Sequence, residues 1–389
     1  VSGSSTPSPG TPSVLRAMND RAALDLLTAH GPLTRTRIGE LTGLSKPTAS
    51  QLLTRLESAG LVRTTGSQSG RPGPNAVLYE IDPRSGHVAA LSAGPTGIDA
   101  VVADITGAVV GSCRVEAGPA AKDVGHRTAQ LVAEAVNGAL LAAGLDHDDL
   151  RCTVIGTPGA IDPHTGQLRY APHLPGWHSR TLRADLAEVL GTPVFIENDV
   201  NLAAIAEQYE GAAQDHDDFV LAYLDEGVGA AIVLGGTLLR GATGGAGEIG
   251  YMPLPGAPLA RGGVRDWAGD DAGGGFQSQV STPAVRKLAG GVPLAEALAD
   301  EAVLDQVAAM LATGLAAVVA VVDPELVVLS GAVAEAGGEA LRKRVETELT
   351  GLILPRPLLR ISDLDSDPIL TGALRSALTQ ARDTVFDTT

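Results

Sequence analysis

The segment SKPTASQLLTRLES, from Ser45 to Ser58, holds the side chains with the clearest chemistry to offer. Ala49, Leu52, Leu53 and Leu56 repeat at helical spacing and form one apolar face, so Thr48, Gln51 and Arg55 project from the other. Hydroxyl, amide and guanidinium groups on an exposed helix face hydrogen-bond base edges and phosphates. Ser45 as N-cap and Lys46 inside the first turn put a hydroxyl, a cation and backbone N–H groups where a phosphate could sit. Arg35 and Ser50 complete this part of the candidate DNA-binding set. Arg71, in the narrow extended sequence GRPGP, is placed to enter a minor groove.

These residues need a scaffold, and the flanking sequence predicts one. Ala22, Ala23, Leu26 and Leu27 mark a first helix over Asn19–Ala29, ended by Gly31-Pro32. A short helix over Arg35–Thr42, a turn at Gly43 and a longer helix from Ser45 to Gly60 follow. LVRTTGSQSGRPGPNAVLYEI then reads as two strands flanking a loop, the wing of a winged helix. The predicted DNA-binding domain spans 14–82, after a disordered Ser/Pro/Gly tail over 1–13. Helix, turn, helix and hairpin could also serve as a small packing or protein–protein module. Charge favours DNA: residues 1–80 carry eight Lys/Arg and five Asp/Glu, a balance of +3, in a chain whose total is −17.

From His87 onward, β-branched runs alternate with alanine-rich stretches, as in HVAALSAG, DAVVADITGAVVGSCRVEA, a helix over Thr128–Ala143, and CTVIGTPGAID. Weaker repetition at DDFVLAYLDEGVGAAIVLGGTLLRGATGG, turned at Gly235-Gly236, suggests duplicated lobes around a cleft. Cys113 and Cys152 are too few for a disulfide framework, which points to the cytoplasm. The run from Val307 to Val322 is interrupted by Thr313-Gly314 and stops at Asp323-Pro324, which predicts a buried helix and no membrane span. The first thirteen residues lack the basic start and apolar centre of a signal peptide.

Five motifs in order, IGTPGAID, APHLPGW, VFIENDVNLAAIAE, GGTLLRGATGGAGEIGY and DPELVVLSGAV, resemble those of the ROK family, named for repressors, open reading frames and sugar kinases. The resemblance runs from about Arg16 to the last helix. It implies an α/β chain with an N-terminal winged helix-turn-helix, followed over 83–389 by a two-lobed actin-like, ribonuclease-H-like fold of sugar-kinase type. The lobe boundary is expected near 200, with the last helix returning to the first lobe. An appended winged helix resembles the family's repressors rather than its kinases. By the same resemblance Asp199 matches the family's catalytic base, Asn198 a hydroxyl-binding amide, Glu248 a second sugar carboxylate and Gly159 a glycine that lets backbone approach the ring. Carboxylates and amides suit polyols, since each makes several directed hydrogen bonds.

The departures carry equal weight. Where family kinases have DxGxT, this chain reads Ser92, Ala93, Gly94, Pro95, Thr96. The acidic residue is gone, and proline removes an N–H that could cradle phosphate. Asp225 and Glu226 stand where family kinases usually have Gly-Thr at a second phosphate loop. Tyr251 replaces the histidine of ExGH, and no Cys or His follows it as far as Phe276, so the family's four-ligand zinc cannot form. Arg261, Arg265, Asp266 and Asp270 are possible replacements for the lost ligand contacts. His173 replaces the usual Asn of APHLPGW. The expected effector set is therefore Gly159, Asn198, Asp199, Glu248, Tyr251 and His173, with Asp199 a degenerate kinase base and with no metal or cofactor. The expectation is a non-enzymatic regulator, in the main a repressor, that binds a palindromic double-stranded operator as a homodimer or tetramer and responds to a sugar or sugar derivative. The alternatives are an active ATP-dependent sugar kinase bearing a DNA-binding domain, and a regulator whose body only oligomerises.

Overall fold

The computed structural model describes residues 12–68, 76–117, 124–162, 164–166, 168–169, 177, 181–259 and 274–387. The head consists of α1 (Pro12–His30), β1 (Leu33–Thr34), α2 (Arg35–Thr42), α3 (Lys46–Ser58), β2 (Val62–Gln68) and β3 (Ala76–Ile81). Thr34 and Ser45 cap α2 and α3 through their hydroxyls, and Gly43 closes α2 in the left-handed region at φ 71°. The three strands form an antiparallel sheet in the order β1-β3-β2.

Two expectations are corrected at the N-terminus. Residues 12 and 13, assigned to a disordered tail, already lie in α1, while the rest of that tail falls outside the described residues. The helix also starts seven residues before Asn19. Val14, Leu15 and Met18 are exposed, so the first turns carry no buried periodicity to detect. No helix breaker separates Pro12, placed where its missing N–H costs nothing, from the buried stretch.

The body contains two five-stranded sheets of the same design. In the first, β4 (His87–Gly94), β5 (Gly97–Asp104) and β6 (Val109–Glu116) form an antiparallel meander. After α4 (Val124–Ala143), β7 (Leu150–Thr157) pairs parallel with β4. The short hairpin β8 (Ala160–Ile161) and β9 (Leu168–Arg169) and helix α5 (Leu182–Leu190) lead to β10 (Val194–Asn198), which pairs parallel with β7. Helix α6 (Asp199–Glu210) carries the chain into the second lobe.

There β11 (Phe219–Leu224), β12 (Val228–Leu234) and β13 (Thr237–Leu238) repeat the meander. Short helices α7 (Gln277–Val280), α8 (Thr282–Leu288) and α9 (Leu294–Ala297) precede α10 (Glu301–Val322). Strand β14 (Leu326–Ser330), α11 (Ala332–Leu352) and β15 (Leu358–Ile361) complete the lobe, and α12 (Pro368–Val385) ends the chain. The orders β6-β5-β4-β7-β10 and β13-β12-β11-β14-β15 place corresponding strands at corresponding positions. Helix α10 is long and apolar enough to cross a bilayer, but Leu304, Val307, Leu311, Leu315 and Val319 bury one face of it in the core of the second lobe.

Helix α6 packs Val200, Ala203 and Ala204 on the second sheet, while α12 packs Ala373, Ala377 and Leu378 on the first. The two helices touch where Gly372 meets the backbone of Leu202, a contact that leaves no room for a β-carbon. Helix α12 thus lies against the first sheet. Its apolar face joins a core that runs without interruption into the head, through Leu24, Leu27, Leu53, Leu56 and Val62.

Candidate functional site

The head presents the N-terminal half of α3. Lys46, Thr48 and Gln51 are exposed there, beside Arg35, which donates to the Ser50 hydroxyl at 3.1 Å. Two expectations change. The Ser45 hydroxyl accepts from the Thr48 N–H and lies 2.8 Å from the Thr48 hydroxyl, and Pro47 has no N–H. The start of α3 is thus mostly satisfied internally, and its free anion-binding capacity is small. Arg55 does not project freely. Its Nε and Nη2 donate to the two carboxylate oxygens of Asp20 at 3.1 and 2.5 Å, and the Asp20 side chain is only 4 % exposed. Arg55 fastens α3 to α1, and its helical spacing could not reveal a partner 35 residues away. Arg71 lies outside the described residues.

The body holds a cavity of about 780 Å³ between the lobes. Five of the six expected effector residues, Gly159, Asn198, Asp199, Glu248 and Tyr251, line it together. His173, Arg261, Arg265, Asp266 and Asp270 lie outside the described residues. Asp199 is delivered by the junction of β10 with α6, and Asn198 forms the cap: its Oδ1 accepts from the Asn201 N–H at 3.0 Å. Both protons of the Asn198 amide are used as well, on the Gly159 carbonyl and on Asp199 Oδ1, each at 3.1 Å. Asn198 therefore acts first as a brace that holds Gly159 and Asp199 in place. Gly159 sits at φ 99°, a left-handed conformation that glycine adopts without strain.

Asp199 Oδ1 also accepts from the Val200 N–H at 2.8 Å. Burial nevertheless raises its pKa to about 6, reinforced by the charge on Asp225. Burial raises Glu248 to about 7, with Asp199 adding to the effect. Low-dielectric surroundings and neighbouring like charge both disfavour the ionised carboxylate. Such groups can exchange protons near neutrality and accept hydrogen bonds from hydroxyls.

Two hairpin tips face this cavity. Ser92, Pro95 and Thr96 stand at the tip of the β4–β5 hairpin, and Asp225 and Glu226 at the tip of its counterpart, β11–β12. The first tip carries no carboxylate and includes a proline that has no N–H, and the second carries two carboxylates.

One residue escaped the sequence reading. Glu197 Oε1 accepts from the Asn198 N–H and the Asn201 amide at 3.0 and 2.9 Å, while Oε2 accepts from Arg240 Nε at 2.8 Å. Arg240 follows β13 of the second lobe, so this ion pair ties the lobes together beside the cavity. The only signal was an acidic residue next to Asn198; its partner lies 43 positions away.

The ROK family model matches residues 88–374, and a MarR family model matches residues 19–71. A glucokinase of Thermotoga maritima is 29 % identical over 60 % of this chain and 77 % of its own length. A xylose repressor of Bacillus subtilis is 24 % identical over 62 % of this chain, and the Escherichia coli DNA-binding transcriptional dual regulator NagC is 26 % identical over 63 %. These matches span about three fifths of the two regulators' own lengths, 61 and 59 %. Among solved structures, the ROK hexokinase of Thermus thermophilus is 31 % identical with a TM-score of 0.63, over 76 % of this chain and 99 % of the hexokinase. A ROK transcriptional regulator homologous to the E. coli MLC protein shares the fold over 96 % of this chain and 99 % of its own, at a TM-score of 0.72 and 22 % identity. With its paired 3-2-1-4-5 sheets and ENDVN cleft behind a winged helix-turn-helix, the chain belongs to the ROK family.

Proposed function

We propose that this protein is a DNA-binding transcription regulator, a repressor in its main action, whose operator affinity is set by a sugar or sugar derivative in the interlobe cleft. Helix α3 enters a major groove with Lys46, Thr48 and Gln51 leading, and a homodimer places two such helices on a palindromic operator. Such a regulator works in the cytoplasm.

The observation that carries this reading is the position of α12. Ile369 at its start lines the cleft. At its far end Asp383 accepts from Arg21 of α1 at 2.9 Å, and Phe386 just beyond lies 5.9 Å beneath the Arg21 guanidinium. A ligand that shifts the lobes also acts on a helix that touches the head. The effect on DNA equals the difference in ligand affinity between the two arrangements.

Phosphoryl transfer is not part of the proposed function. Ser92, Pro95, Asp225 and Glu226 deprive a nucleotide of charge neutralisation even with Asp199 in place. The test selects duplexes from a random DNA pool with the full chain, then measures fluorescence anisotropy against a sugar library. A selected duplex whose affinity changes at least tenfold with one sugar supports the reading; failure to select any duplex overturns it. Retention of Asp199, together with the glucokinase relative, favours a second reading as a kinase. ADP release with a hexose, abolished by Asp199→Asn, would establish that reading instead.

A further inference from the structure

The charge lining the cleft narrows its ligand further, on the reading that the cleft is the effector site. Its titratable lining residues among those described are Asp199, Tyr223, Asp225, Glu226, Glu248 and Tyr251, with no Lys, Arg or His. Asp367, the cap of α12, and Glu335 of α11 add further negative potential at Tyr223. Among the described residues, every charge brought to this end of the cleft is therefore of one sign.

Asp225 is the group that a sugar hydroxyl satisfies least well. Its backbone is fixed on both sides: the N–H donates to the Gly227 carbonyl, and the carbonyl accepts from the Thr282 N–H. Its Oδ1 accepts only from the adjacent Glu226 N–H, at 2.9 Å, and it forms no ion pair among the described residues. A neutral ligand closing over this tip would bury a carboxylate without a counter-charge, which is costly. A phosphate would add repulsion, and Pro95 on the opposite tip has no N–H to offset it. A divalent cation is a poor match too, because no three acidic, His or Cys groups among the described residues converge in a metal-binding set. An ammonium group supplies one positive charge and three donors, and needs only one or two carboxylates.

We propose that the effector is a polyol bearing a protonated amine, such as an amino sugar, with its hydroxyls at Asp199 and Glu248 and its ammonium against Asp225. A cavity of about 780 Å³ accommodates such a molecule, since small-molecule sites span roughly 300–1,000 Å³. The ionised forms of Asp225, Asp199 and Glu248 favour the ammonium, so binding releases protons and strengthens as pH rises from 5.5 to 7.5.

The test is isothermal titration calorimetry on the full chain with matched sets: glucosamine, galactosamine and mannosamine, each beside its parent hexose, its N-acetyl derivative and its 6-phosphate. The expected result is one amine that binds at least tenfold tighter than its three counterparts, with affinity rising between pH 5.5 and 7.5. In Asp225→Asn that preference shrinks at least tenfold while the melting temperature holds. Equal binding of amine and parent, tighter binding of the phosphate, or an unchanged preference in Asp225→Asn would overturn the proposal while leaving the cleft a sugar site. If no polyol binds at all, the reading of the cleft as an effector site fails with it.

Discussion

Replacing Arg55 separates two roles that its position in α3 leaves open. As a DNA contact, Arg55 would neutralise a phosphate, and Arg55→Ala would weaken binding to all duplexes and lower the salt slope by about one. As a strut, it holds a nearly buried carboxylate through two hydrogen bonds. Breaking a fully buried pair costs about 3–5 kcal/mol, and a fully exposed pair contributes about 0–1 kcal/mol. With Asp20 4 % and Arg55 42 % exposed, the expected loss lies between these limits, at about 2 kcal/mol for Arg55→Ala. Asp20→Ala should cost about 1–2 kcal/mol, and the double variant less than the sum, with a coupling of about 1 kcal/mol. Hydrogen exchange of the α1 and α3 amides reports these losses locally, and anisotropy titrations at several salt concentrations report DNA binding. A loss below about 0.5 kcal/mol with no coupling to Asp20, together with a salt slope reduced by one, would refute the strut assignment.

Three further outcomes follow from the same geometry. Gly372→Ala places a methyl group on the Leu202 carbonyl where α12 crosses α6, and should destabilise the fold by about 1–3 kcal/mol in urea unfolding, as overpacking does. Asp199 and Glu248, raised to about 6 and about 7, bind more protons folded than unfolded, so the unliganded protein should lose stability as pH rises from about 4 through 7. Melting temperatures at pH 5 and pH 8 check this, and Asp199→Asn with Glu248→Gln should flatten the profile. Lys46→Ala should weaken DNA binding uniformly and reduce the salt slope by about one, whereas Gln51→Ala should relax discrimination at one base position, at about 1–3 kcal/mol.

The amino-acid sequence alone determined the elements whose signals are local. The apolar face of α3, the Ser45 cap and the Gly43 turn act over a few residues, and each appears in the structure as the pattern dictates. The motifs around Gly159, Asn198, Asp199 and Glu248 likewise named a cleft that the fold assembles. The early turns of α1 escaped notice because exposed residues leave no periodic trace. Tertiary structure decided which partner each polar group takes. Asp20 claims Arg55, Arg240 reaches Glu197 across the lobes, and the amide of Asn198 is spent on bracing its neighbours. These pairings join residues tens of positions apart, and nothing in local spacing encodes them. The same holds for charge: Asp199, Asp225 and Glu248 become one acidic wall only when the start of α6, the tip of the β11–β12 hairpin and the segment after β13 fold around a shared cavity.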